Sequence, residues 1–132
     1  MLKSIGVVAG SYLLSIVLVV ASDPLLSLVF PGDFVRGHVP SNVALAASTG
    51  CFVAVSIFCA WVCGRFAPSM PSRHVLWFFI LGETMGVAAT IANWKNGWPH
   101  WYALAWLLSW PVSCWAGAHL ATRRAAAAPA GT

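Results

Sequence analysis

Long uncharged runs alternate with short polar breaks along this chain. After Lys3, no charge occurs from Ser4 to Ser22. A second uncharged run of twenty residues covers Val43 to Val62. A third, Val75 to Ala92, carries a single ionisable side chain, Glu83, almost at its midpoint. A fourth covers about Trp101 to Leu120 and ends before Arg123 and Arg124. Runs of this length suit helices that cross hydrocarbon, which need about 20 residues at about 1.5 Å each. Only helices and closed barrels satisfy every backbone polar group in lipid. The pattern therefore predicts an all-α integral membrane protein, a four-transmembrane-helix bundle. Its spans lie at about 4–22, 43–62, 75–92 and 101–120 in one domain, 1–121. A flexible Ala-rich tail follows over 122–132.

The breaks carry the expected punctuation. Ser22-Asp23-Pro24 reads as the end of the first helix, because Asp caps helices and Pro suits a first turn. The short run Leu25 to Phe30 then either extends that helix after a bend or lies at the interface. The first segment also has the outline of a secretory leader, with Val19-Val20-Ala21 as a cleavage-type site, but is read as a retained span. Ser41 is placed to cap the second helix, Gly64 to end it, and Ser72 to cap the third. Pro99 suits the entry to the fourth, and Pro111 should kink it or free a carbonyl.

Small residues mark the packing faces. Gly82 and Gly86 form a Gly-x-x-x-Gly pair. Ala105, Ser109, Ser113 and Gly117 recur every four residues as a continuous ridge. Such residues let helices approach closely in lipid. Ser4, Ser11, Ser15 and Ser22 share one face of the first helix. On the third, Glu83, Gly86, Thr90 and Asn93 form a polar or small stripe, while Trp77, Phe78 and Ile91 make the bulkier opposite face. The turn NWKNGWPHW, with Trp94, Trp98 and Trp101 beside Tyr102, reads as an interfacial aromatic belt.

Composition agrees with a membrane protein. The chain is 60% hydrophobic and 8% charged, against about 25% charged in soluble domains, so its polar residues cannot cover a globular surface. The net charge of +4 comes from basic residues scattered between apolar blocks, which excludes a nucleic-acid stripe. Those residues orient the chain instead. Lys3, Arg65, Arg73, Arg123 and Arg124 fall on one side, and Arg36 and Lys95 on the other. The excess places both termini in the cytoplasm, and the expected home is a bacterial inner (cytoplasmic) membrane.

Candidate chemistry centres on Glu83. A charged carboxylate at mid-membrane is disfavoured by roughly 2.5–3.5 kcal/mol on insertion scales, so its neutral form is favoured there. It reads as an intramembrane proton or cation site, or as a hydrogen-bond donor across the bundle. Partners at similar depth are Tyr12, Ser15, Ser56, Ser109 and Trp110. The cysteines, Cys51, Cys59, Cys63 and Cys114, form no Cys-x-x-Cys motif and read as small core residues. His38, His100 and Asp33 share the outer side, but no zinc-type spacing occurs, and only His119 among the histidines lies inside a span. No metal or cofactor is expected. No nucleophile–base set, phosphate loop or carboxylate pair is present, so an enzyme is disfavoured. Expected partners are the lipid bilayer and either further copies of the chain or other membrane proteins. Three functions compete. The first is an oligomeric or accessory subunit of a membrane complex. The second is a small proton-coupled transporter using Glu83. The third is a lipid- or quinone-binding protein with a groove beside the aromatic belt.

Overall fold

The computed structural model describes residues 1–127; residues 128–132, the end of the expected tail, lie outside the described residues. Four helices follow one another: α1 Leu2–Val29, α2 Asn42–Phe66, α3 Pro71–Asn93 and α4 His100–Ala127. The all-α expectation holds, and α1, α2 and α3 are long and apolar enough to cross a membrane. The 28 residues of α4 are diluted by tryptophans, serines, Pro111 and His119, which lower its hydropathy rather than its length. Helix α4 continues through Ala127, so residues 122–127 are helical.

Three of the expected boundaries move. Helix α1 passes the expected span end at Ser22 and runs 28 residues to Val29 with Pro24 inside it, the extension being the one of the two alternatives for Leu25 to Phe30 that is found. Proline holds a helical φ, and its lost N–H leaves only the Val20 carbonyl without a helical donor. The result is a rod of about 42 Å, longer than the roughly 30 Å hydrocarbon layer. Helix α2 passes through Gly64 to Phe66. Gly64 serves close packing instead of termination: a Cβ there would lie 2.8 Å from Ala121 Cβ of α4. Helix α3 is capped not by Ser72 but by Met70, in the left-handed region at φ 44°, with Pro71 in the first turn. Proline at the first helical position sets the start, and Met70 takes up the chain reversal.

Ser41 does cap α2, accepting from the Ala44 N–H at 3.3 Å. Its own N–H and hydroxyl donate to the Asp33 carboxylate at 2.8 and 3.0 Å, which ties the long α1–α2 loop to the head of α2.

Helices α2 and α4 form the most extensive pair and run parallel. Their register is legible from matched contacts: Ser48 with Tyr102, Phe52 with Trp106, and Gly64 with Ala121. Helix α3 lies antiparallel to α4, with Gly82 against Trp110 and Gly86 against Leu107. Helix α1 packs on α2 and α3, and among the described residues its backbone does not come close to that of α4. The buried core sits towards one end of the bundle, where Cys59, Ala60, Cys63, Val75, Phe78, Trp110 and Cys114 cluster. Ser11 and Ser15 are the buried serines of α1, and Ser4 and Ser22 on the same face are half-buried.

Phe78 is 0% exposed, so it does not belong with Trp77 and Ile91 on an outward face. At 100° per residue, Phe78 lies about 140° from Ile91 around the α3 axis, nearer the core than lipid. Trp77 and Ile91 are 60% and 72% exposed.

Candidate functional site

The two small-residue motifs are occupied inside the chain. Ser113 and Gly117 are buried on the α2 side of α4, with Ala105 and Ser109 half-buried above them. A Cβ at Gly117 would lie 2.5 Å from Ala60 Cβ and 2.7 Å from the Ile57 carbonyl oxygen, so the helix backbones nearly touch there. Gly82 seats the Trp110 ring, and a Cβ on Gly86 would stand 3.1 Å from Leu107 Cδ2. The faces expected to seat a partner helix therefore seat α2 and α4 of the same chain.

At the end opposite the core, the helices enclose a half-open cavity of about 680 Å³. Its α3 wall is the stripe read from the sequence: Glu83, Gly86, Thr90 and Asn93 all line it. Helix α1 contributes Tyr12, Ser15, Ile16, Val19 and Val20, and Phe52 comes from α2. Trp94 and Trp98 of the α3–α4 connection and His100 at the start of α4 line the far end, and Tyr102, Trp106 and Trp110 of α4 complete the wall. From Glu83 to Trp94 the cavity extends about 17 Å along α3, given about 1.5 Å per residue.

Aromatic rings organise this wall. Phe52 stacks on Trp106 at 4.0 Å and lies 5.8 Å from Trp110. Trp94 stacks on His100 at 4.0 Å, and the His100 Nε2 is 3.2 Å from the Trp94 carbonyl oxygen. Tyr102 shares a 3.0 Å hydrogen bond with Ser48. The expected belt is thus divided. Trp94, Trp98 and Tyr102 face the cavity, whereas Trp101 is not among its lining residues.

Glu83 lies at the inner end, and its Oε2 is enclosed without a hydrogen-bond partner. The hydrogen bond expected across the bundle does not form. Ser15 donates to the Tyr12 carbonyl at 2.7 Å, Ser56 to that of Phe52 at 2.6 Å, and Ser109 to that of Trp106 at 3.1 Å. The Trp110 indole N–H donates to the Phe79 carbonyl at 3.1 Å. Tyr12 meets Phe78 edge-on at 6.5 Å. The reason is local: a serine hydroxyl on a helix reaches the carbonyl three or four residues back without crossing the bundle. Tyr12 still shares the cavity with Glu83, but Ser109 does not line it. Trp106 Nε1 is a second enclosed polar atom on this wall without a partner, beside the Tyr102 hydroxyl but outside hydrogen-bond geometry.

Trp106 and Phe52 are aromatic wall residues absent from the candidates drawn from the sequence. The signal was present, since Tyr102, Trp106 and Trp110 step by four along one face of α4.

Of the other candidates only His100 lines the cavity. Asp33 is held by Ser41, and among the described residues no group of three or more His, Cys, Asp or Glu is placed to hold a metal ion. Cys59, Cys63 and Cys114 are buried free thiols in the core, and Cys51 is a half-buried one. No family model matches the chain, and no curated protein or solved structure matches it either.

Proposed function

We propose that this chain is a non-enzymatic integral membrane protein that binds a lipophilic small molecule in the cavity at Glu83. All four helices cross the membrane in this reading, and both termini lie in the cytoplasm, following the Lys and Arg bias. The observation that carries the proposal is the half-open cavity of about 680 Å³, which lies in the usual range for small-molecule sites. Its walls are mostly apolar and aromatic with a few polar groups, the make-up such sites favour. The test is mass spectrometry of the protein after mild extraction. A small molecule should leave with the wild-type chain and be lost from Ala89→Phe, which fills the cavity from its α3 wall. Equal recovery from both proteins would place the molecule elsewhere.

The reading as an oligomeric or accessory subunit keeps one supporting observation. Leu13, Val17 and Val20 recur along one face of α1 and are 61%, 62% and 62% exposed. Lipid tails suffice to cover such a face, so the cavity is the more specific feature. A proton-coupled transporter would also need a cavity reaching Glu83; transport would add a second opening on the opposite side.

A further inference from the structure

We infer that the occupant of this cavity carries a cationic head, an ammonium with apolar substituents, held at Glu83; the inference rests on the cavity being the binding site. Three features of the wall point there. The first is charge. The protein has three acidic residues in all, and one of them lines the cavity. Among the described residues no lysine or arginine lines it, and His100 is the one basic side chain on the wall, at the far end from Glu83.

The second feature is the orphaned carboxyl. Ser15, Ser56, Ser109 and Trp110, at the same depth, all donate to helix carbonyls, and Oε2 has no partner. Rotation about the terminal torsion of a glutamate is soft, so the carboxylate can turn towards a bound group. An ammonium neutralises the charge that hydrocarbon disfavours, and the pair enters the membrane interior as a neutral unit.

The third feature is the aromatic wall. Trp94, Trp98, Tyr102, Trp106 and Trp110 line the same space as Glu83. Indole and phenol rings attract cations through their π faces, most strongly where water is excluded. A neutral amphiphile gains the same apolar contact from these rings but at most a hydrogen bond, with no ion pair, from the carboxyl.

The test uses the full chain in nanodiscs of zwitterionic lipid and three probes with one tail: octyltrimethylammonium, octanol and octyl sulfate. Binding is measured calorimetrically, with empty nanodiscs subtracted. The ammonium should bind at least tenfold more tightly than octanol, and octyl sulfate more weakly than either. Glu83→Gln should bring the ammonium down to the affinity of octanol, and thermal unfolding like that of wild type in detergent shows that the variant is folded. Equal affinities of the ammonium and octanol for wild type would overturn the cationic head and leave the cavity reading standing. A preference for the ammonium that survives Glu83→Gln would remove Glu83 from the site. Binding of none of the three would sink both the inference and the reading on which it rests.

Discussion

The Trp110 ring of α4 lies directly over Gly82 of α3, and its indole N–H donates to the Phe79 carbonyl one turn earlier on that helix at 3.1 Å. The two residues fix the depth at which α3 and α4 cross. The ring occupies the volume of the side chain that Gly82 lacks, and the hydrogen bond sets its orientation. This contact forms the boundary between the packed core below and the cavity above, because Trp110 belongs to both.

Glycine-to-alanine substitutions should separate packing glycines from idle ones. Gly82→Ala meets the Trp110 ring, and Gly117→Ala meets backbone atoms of Ile57 and Trp61 that cannot move aside. Each should lower stability by roughly 1–3 kcal/mol through overpacking. Gly10→Ala meets nothing within 4 Å and should be neutral or slightly stabilising. Thermal unfolding in detergent reads all three, and a Gly10-like result for Gly117→Ala would mean that α2 and α4 do not lie this close.

The Asp33–Ser41 clasp should be worth about one helix cap. Ser41→Ala removes both the acceptor for the Ala44 N–H and one donor to Asp33, and should cost about 0.5–2 kcal/mol. Asp33→Ala leaves the cap in place and should cost less, while loosening the loop. Hydrogen exchange distinguishes the two: the Ala44 amide should speed up in Ser41→Ala, which leaves the residue 41 N–H bonded to Asp33, and the Ser41 amide in Asp33→Ala.

Glu83 should contribute no stability to the empty protein. Its Oε2 has no partner, so Glu83→Leu removes a disfavoured polar group without breaking a hydrogen bond. Stability in detergent should be unchanged or higher. A loss of about 1–3 kcal/mol would show that the carboxyl holds a buried hydrogen bond after all.

Orientation is tested by chemical labelling in a background without native cysteines. With both termini cytoplasmic, cysteines placed at Gly32 or Asn96 should react with an impermeant thiol reagent from outside the cell, and one at Ser69 should not. The reverse pattern would invert the proposed orientation.

Hydropathy by itself determined that the chain is helical and built for lipid, because uncharged runs of this length have few other stable conformations in a membrane. It also placed Glu83, Gly86, Thr90 and Asn93 on one face, because helical periodicity is a local property. Which elements meet is not local. The spacing of Ser113 and Gly117 says that something packs closely there, but α2 and an outside helix offer the same kind of surface, and only the fold selects Ala60 and Ile57. Gly64 and Pro24 look like stops in the sequence. The first is a close-packing site against Ala121, and the second costs α1 a single hydrogen bond. The cavity was the least legible feature. It exists because the backbone of α1 lies against α2 and α3 and stands off from α4, which leaves a space beside the aromatic step Tyr102–Trp106–Trp110. No pattern within a single helix encodes that separation; it follows from where four packing faces come to rest together.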